Sequence, residues 1–382
     1  MIAPHHGRKT FMTIEFDAAV FRTPNEPLTI ERVTIPSTPP PGEVLVRLKA
    51  SGVCHSDLHV LLGEWEVPSP MILGHEGAGV VESVGDGVTS LTKGDHVVLS
   101  WTPSCRRCRY CVSGRPVLCD MVSRHSANHL SFDGRPRITS ADGGDVLSFA
   151  GLGTFGEYAL VPESGAIAIR DDAPFPQSAL VGCAVTTGVG AAVNTAGVRP
   201  SDTVLVLGCG GVGLNAIQGA RLAGARRIIA ADISDEKLEQ ARVFGATDLI
   251  NNGREDFADR VRQLTEGRGV EIAIEAIGLP RTIESAYEVL ARGGTAVVAG
   301  QVADGLRVSI DPFVMSDQEL SLIGSNYGSS KPDSDFPLLI DHYMNGRIDL
   351  DSLVTSVIGL QDINGAFDQM KRGIGIRSVI TY

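Results

Sequence analysis

No apolar run in this sequence approaches the roughly 20 residues a helix needs to cross a bilayer, so it offers no membrane anchor. Its opening, MIAPHHGRKTFMT, lacks the apolar centre of a secretory leader, and Met12 can itself serve as a start. Residues 1–11 therefore read as a disordered leader and the chain as cytoplasmic. Basic residues are also short: 33 Lys and Arg against 45 Asp and Glu leave a net charge of -12. That excludes the concentrated basic surface on which nucleic-acid binding depends. The most basic stretch, Arg106 to Arg115, reads as solvated charge on a loop. There is no internal repeat and no low-complexity linker.

Cysteine is scarce as well, seven residues in 382, but it is unevenly placed. Four fall in Cys105-x2-Cys108-x2-Cys111-x7-Cys119. In a cytoplasmic chain disulfides rarely persist, and two-residue gaps let one loop wrap a zinc ion tetrahedrally with four thiolates. Residues 103–120 are expected to be a structural zinc lobe.

The length suggests more than one domain. From Ile14 to Ala50 the pattern alternates and is broken by prolines, and Glu43 to Leu48 and Gly94 to Leu99 read as strands, which is all-β chemistry. Residues 120–150 are polar, with turns at Asp133-Gly134 and Gly143-Gly144, and are expected to form a long surface loop. After Cys183 the character changes. Val185 to Ala196 has a small-residue helical pattern, and apolar strands then alternate with helices: strands at Val204 to Leu207, Ile228 to Ala231, Ile272 to Glu275 and Thr295 to Ala299, and helices at Asp235 to Phe244 and Thr282 to Leu290. That is the pattern of a doubly wound parallel sheet. Beyond Leu322 it fades, and the C-terminal segment is expected to return to the first domain.

Gly208-Cys209-Gly210-Gly211-Val212-Gly213 follows the first of these strands and opens a helix near Leu214, the context in which G-x-G-x-x-G binds a dinucleotide. Gly208 allows the turn, Gly210 the approach of a pyrophosphate, and Gly213 close packing of helix on strand. Asp232 ends the second strand, where a carboxylate accepts hydrogen bonds from the adenosine ribose and repels a 2'-phosphate, so NAD is expected over NADP. As a helix cap Asp232 would be redundant beside Ser234 and Asp235. Cys209 reads as a small apolar filler.

Cys54, His75 and Cys183 lie in or beside the β-rich part and would make a Cys2His set with a fourth position open, the arrangement of a catalytic zinc. Spacing alone leaves this unsettled, because a histidine between glycines is more often a turn residue.

Together, Gly52-Val53-Cys54-His55-Ser56-Asp57, Gly74-His75-Glu76-Gly77-Ala78-Gly79, the four-cysteine lobe, Gly182-Cys183 with Thr187-Gly188, the glycine loop with Asp232, and Ile376-Arg377 occur in the order found in one family. From residue 14 to 382 the chain resembles the zinc-dependent alcohol dehydrogenases of the medium-chain dehydrogenase/reductase superfamily. The resemblance implies a GroES-like β-rich catalytic domain over 12–185, a Rossmann coenzyme domain over 186–325 and a C-terminal return over 326–382. It implies two zinc ions per chain, one catalytic on Cys54, His75 and Cys183 and one structural on Cys105, Cys108, Cys111 and Cys119. Glu76 would lie behind the catalytic metal, and Asp57 would orient His75. Ser56 would receive the alcohol proton, and His59 would end a relay to solvent. Thr187 and Val212 would back the nicotinamide, Lys237 would sit beside the adenosine ribose, and Gly211 and Arg377 would face the pyrophosphate. His55 stands where many relatives carry arginine, which should loosen NAD or make its release pH-sensitive.

Zinc as a Lewis acid would lower the pKa of a bound alcohol and favour hydride transfer to NAD, reversibly giving an aldehyde or ketone. Trp65, Trp101 and Phe149 stand at pocket positions. Two alternatives remain. One is a thiol-dependent formaldehyde dehydrogenase acting on an S-hydroxymethyl adduct, although Trp65 occupies the place of an acidic residue that the glutathione branch uses. The other is a non-catalytic NAD- and zinc-binding protein, which would have no need of an open metal position. A small-molecule alcohol or aldehyde is the expected partner, and a homodimer or homotetramer the expected assembly.

Overall fold

The computed structural model describes residues 12–125, 129–131, 133–303 and 305–382. The expected leader, 1–11, lies outside them. The first part of the chain contributes β1 (Thr13–Phe21), β2 (Thr29–Pro36), β3 (Glu43–Gly52), β4 (Met71–Ile72), β5 (Glu76–Val84), β6 (His96–Leu99), β7 (Ile138–Ser140), β8 (Asp145–Ser148), β9 (Tyr158–Pro162) and β10 (Ala166–Ala168). A closed barrel runs β1-β2-β7-β8-β4. A second sheet pairs β3 with β5 and β9 and extends through β6 to β10. Between β3 and β4 lies helix α1 (His55–Leu61).

Next comes the Rossmann sheet, with β11 (Thr203–Leu207), β12 (Arg227–Asp232), β13 (Asp248–Asn251), β14 (Val270–Glu275), β15 (Leu290–Val298) and β16 (Ser321–Gly324). The spatial order is β13-β12-β11-β14-β15-β16, and every neighbouring pair is parallel. The order reverses between β11 and β14, which opens a crevice at the carboxyl ends of those strands. The chain then returns. β17 (Val354–Ile358) runs parallel to β18 (Arg377–Thr381), and β18 pairs antiparallel with β3.

The two parts share a core through helix α2 (Phe175–Thr195), which straddles the division expected at 185/186. One apolar cluster runs from Ala50 and Ala78 through Leu180 and Val185 to Val204 and Val206. Small residues permit this. A Cβ on Gly188 would stand 2.2 Å from the Val212 carbonyl oxygen, and one on Gly190 would stand 2.4 Å from that of Gly328. At 21 residues α2 is long and apolar enough to cross a membrane, contrary to the expectation from sequence, but 78% of its apolar window is buried inside the fold.

Residues 120–150 also differ from the expected surface loop. Asp120–His125 is helical, and β7 and β8 form a hairpin that closes the barrel between β2 and β4. Strands of three and four residues are too short for their alternation to register in the sequence, and the glycines taken as loop turns include the hairpin turn at Gly143. The Arg137 guanidinium anchors this segment. It donates two hydrogen bonds to the buried Glu43 carboxylate, at 2.6 and 3.0 Å, and pairs with Asp133 at 3.0 Å. Removing one member of a buried pair strands the other charge. We expect Arg137→Ala to lower the free energy of unfolding by about 3 kcal/mol. Arg137→Met combined with Glu43→Gln should recover part of that, as read from urea denaturation.

Candidate active site

At the end of β3 the chain turns into α1 with Cys54 as the N-cap. Asp57, fully buried in the first turn, ties this cap to the next strand. Its carboxylate accepts from the Cys54 N-H at 3.2 Å and the Gly74 N-H at 2.9 Å, and its Oδ1 lies 3.2 Å from His75 Nδ1. A carboxylate on Nδ1 fixes that proton and leaves Nε2 free as a ligand. Cys183 arrives from α2 at Val181–Val185, where the helix widens to π geometry, a common device at functional sites. The ligand atoms of Cys54, His75, Glu76 and Cys183 all lie within 4.8 Å of one another.

The electrostatics suit a bound cation. The neighbouring Cys183 thiol holds Cys54 well below the usual thiol range, while Cys183 itself is pushed up, so the pair shares a proton. Burial drives His75 down, but Asp57 and Cys54 outweigh it and leave it raised. Burial lifts Glu76 to about 8, and neither of its buried carboxylate oxygens has a hydrogen-bond partner. The guanidinium of buried Arg377 is 3.9 Å from Glu76 and 4.0 Å from Cys54 Sγ. Two thiols, an imidazole with a fixed tautomer and an orphaned carboxylate form a donor set that fits zinc.

The second cluster, Cys105, Cys108, Cys111 and Cys119, also holds its sulfurs within 4.8 Å of one another. Backbone N-H groups point at them: those of Cys105 and Met121 approach Cys119 Sγ at 3.3 and 3.4 Å, and that of Cys108 approaches Cys105 Sγ at 3.4 Å. All seven cysteines are free. This set fits a closed four-thiolate zinc.

Across the crevice, Gly208 has φ +99°, and a Cβ on Gly213 would stand 1.7 Å from the Gly208 carbonyl oxygen. A Cβ on Gly210 would meet nothing, so the backbone there is open to a ligand. Helix α3 (Gly211–Leu222) begins at this loop, three residues before the expected start. Asp232 accepts from the Cys209 N-H at 2.8 Å and the Ser234 N-H at 3.0 Å, which aims its carboxylate across the loop. Ser234 caps helix α4 (Asp235–Phe244), so Asp232 is not needed as a cap. Cys209 is buried, and burial pushes its thiol up. A single cavity of about 1040 Å³ takes in the Cys54, His75 and Cys183 cluster, the glycine loop and Asp232, with Thr187, Val212, Lys237 and Arg377 also on its walls.

On the metal side the same cavity meets Ser56 and His59, and Trp65, Trp101 and Phe149 also line it. Ser56 Oγ is 3.9 Å from Cys54 Sγ. His59 stacks on Trp65 at 5.0 Å, and its Nδ1 pairs with the Glu64 carboxylate. Sequence reasoning missed Glu64, Glu66, Tyr327 and His129. Tyr327 packs tilted against Trp101, ring centroids 4.2 Å apart, and donates its hydroxyl proton to the Gly182 carbonyl, beside Cys183. Nothing in its own neighbourhood of sequence signals that. His129 was hidden in the segment read as a surface loop.

The family profile described as "Alcohol dehydrogenase GroES-like domain" matches residues 40–171, and that described as "Zinc-binding dehydrogenase" matches 211–345. The S-(hydroxymethyl)glutathione dehydrogenase of Paracoccus denitrificans is 38% identical over 373 residues, covering 96% of this chain and 99% of the relative. Among solved structures, an alcohol dehydrogenase zinc-binding domain protein from Burkholderia ambifaria superposes with TM-score 0.93 at 35% identity, covering 97% of this chain and 99% of that one. The benzyl alcohol dehydrogenase of Acinetobacter calcoaceticus superposes with TM-score 0.91 at 31% identity, covering 96% and 99%. The chain belongs to the zinc-dependent alcohol dehydrogenases.

As a member of that family it is an oxidoreductase that uses zinc and NAD. His55 lines the same cavity; its ring keeps an exposed face, while the enclosing crevice, followed by the charge on Arg377, pushes it down to about 4.

Two outcomes are expected of this dehydrogenase. Metal analysis of Cys54→Ser should find about one zinc lost together with activity, whereas Cys108→Ser should lose the other zinc and chiefly lower the melting temperature, since the two clusters are separate. Asp232→Gly should raise the ratio of kcat/KM with NADP to that with NAD by at least about tenfold, because a carboxylate there would bond both ribose hydroxyls and repel a 2'-phosphate. A wild-type enzyme that prefers NADP would contradict the second expectation.

Proposed function

We propose that this chain is an NAD-dependent dehydrogenase of primary alcohols, working reversibly with the aldehyde. The observation carrying this reading is that one cavity holds both the Cys2His cluster and the glycine loop with Asp232. Zinc on Cys54, His75 and Cys183 would supply the Lewis acid, and NAD along the glycine loop the hydride acceptor. The protein's own groups do the rest. Ser56 accepts the hydroxyl proton of the alcohol, and His59, with Nδ1 committed to Glu64, passes it outward from Nε2. Thr187 and Val212 back the reacting face, and the aromatic wall keeps water from it. Arg377 and the N-terminus of α3 offer positive charge to the diphosphate.

A second reading is favoured by the relatives. The first curated matches are S-(hydroxymethyl)glutathione dehydrogenases and a class-3 alcohol dehydrogenase, at 37–41% identity, and their names support a thiol-adduct substrate better than a plain alcohol. The cavity supports the plain alcohol. Among the described residues lining it, the cations are Lys237, Arg281 and Arg377; Arg377 is engaged with Glu76 and Cys54, and Lys237 borders the glycine loop, while Trp65, Trp101 and Phe149 line the cavity as well. Reduction of NAD followed at 340 nm separates the two: formaldehyde oxidation that requires glutathione and exceeds every simple alcohol would establish the adduct.

We further assign the chain to the cytoplasm, supported by seven unpaired cysteines, and to a homo-oligomer, supported by the free edge strand β16 and by exposed Leu306, Val308 and Phe313 in the segment before it. Division into a catalytic unit (12–185), a coenzyme unit (186–325) and a returning segment (326–382) is supported by the β18–β3 pairing.

His59→Gln should slow alcohol oxidation by up to about 10²-fold. The loss should be greatest below about pH 7, with partial rescue by small buffer bases and with zinc content unchanged. An unchanged pH-rate profile, where hydride transfer limits the rate, would remove His59 from the relay.

A further inference from the structure

Phe149 is shared by two histidines. The His75 ring meets it edge-on at 5.6 Å and 74°, and His129 stacks on it at 5.5 Å and 22°. His129 is held in place by the residues that flank Phe149. The Ala150 N-H donates to His129 Nδ1 at 3.1 Å, and the Ser148 N-H reaches the His129 carbonyl oxygen at 3.4 Å. These contacts hold it at φ +56°, in the left-handed region that a histidine seldom adopts.

Accepting an N-H at Nδ1 places the ring proton on Nε2. Burial lowers the pKa of His129, which keeps the ring neutral. Nε2 therefore presents one N-H donor, and that donor has no hydrogen-bond partner among the described residues. His129 lines the cavity with Trp65, Trp101, Phe149 and Tyr327. Apart from the histidines, the cysteines of the metal cluster and Tyr327, the ionisable group on that side is Glu66; of the cavity's cations, Lys237 and Arg377 border the coenzyme loop, Arg377 also reaching Cys54 and Glu76, and Arg281 lies in the helix that follows β14. An anionic substrate would face Glu66 there. A planar, uncharged ring would find aromatic faces and one donor at its rim.

We propose that the alcohol is an uncharged aromatic primary alcohol with a hydrogen-bond acceptor on its ring, and that His129 Nε2-H reads that acceptor. The proposal rests on the alcohol-dehydrogenase reading above. The carbinol C-H leaves as hydride with its electron pair to NAD, the hydroxyl proton passes by way of Ser56 and His59 to solvent, and the products are the aromatic aldehyde, NADH and that proton. His129 touches the substrate away from the reacting carbon, so it governs selection among alcohols.

The test compares kcat/KM of the zinc-loaded enzyme with NAD for benzyl alcohol, the three methoxybenzyl alcohols, cyclohexylmethanol, and formaldehyde with glutathione. Benzyl alcohol should exceed cyclohexylmethanol by about fivefold or more, the scale of a ring-stacking preference. The best methoxybenzyl alcohol should exceed benzyl alcohol by about fivefold, the scale of one hydrogen bond. In His129→Phe, which keeps a ring against Phe149 and removes the donor, the methoxybenzyl to benzyl ratio should fall to about one, and His129→Gln should restore part of it. The proposal is overturned if cyclohexylmethanol matches benzyl alcohol in the wild type, if the methoxybenzyl ratio survives in His129→Phe, or if the glutathione adduct outruns every aromatic alcohol. Reduction of NAD by none of these substrates would instead overturn the dehydrogenase reading, and this proposal with it.

Discussion

The buried guanidinium of Arg377 sits where the Cys2His cluster and the coenzyme loop meet. It belongs to β18, which pairs with β3, the strand that delivers Cys54. It faces Glu76 at 3.9 Å, and a Cβ on Gly211 in the coenzyme loop would stand 2.6 Å from its Cζ. A cation at this depth is costly unless anions surround it. The Cys54–Cys183 pair, which shares a proton, is the local anion, with Glu76 lifted to about 8 beside it, and a diphosphate along the glycine loop would be another. The last strand therefore has to return across the molecule, because it sets this charge between the metal ligands and the dinucleotide loop.

Close backbone approach is the second constraint. Helix α2 carries Cys183 into the metal cluster from one side and meets the coenzyme helix α3 on the other, at distances that only glycine allows at Gly188. The short Gly182-Cys183 segment lies in the widened π turn, and the Tyr327 hydroxyl holds the Gly182 carbonyl. A well-packed core transmits small shifts, so a helix rooted in both sheets couples metal geometry to coenzyme position.

Much of this was legible in the sequence where the signal was local. Ser234 and Gly245 bracket α4, as the cap and the left-handed stop that a helix of that composition calls for. The glycine loop lies between its strand and its helix, and the four-cysteine lobe could be read from spacing within fifteen residues. Long-range features could not be read that way. Cys183 reaches Cys54 and His75 from over a hundred residues away, so spacing left their grouping open and the family resemblance was needed to support it. The barrel hairpin of β7 and β8 was invisible because strands of three and four residues carry too little alternation, and it is held by Arg137 to a Glu43 far upstream. His129 was lost with that hairpin, since its position depends on contacts with Ser148, Phe149 and Ala150.

The same hairpin explains how a common reaction frame acquires its own substrate wall. The metal ligands, Ser56 and the glycine loop come from β3, β5, α1, α2 and the Rossmann sheet, elements that cannot shift without disturbing the shared core. β8 leads directly into Phe149, and the barrel closure that anchors β8 therefore also fixes the ring lying against both His75 and His129. Changes in the 120–150 segment can thus re-line the substrate side while the chemistry beneath it stays in place. On the proposed reading, that separation lets a chain whose first curated relatives are named for S-(hydroxymethyl)glutathione present Trp65, Trp101, Phe149 and His129 to the same cavity as the metal cluster.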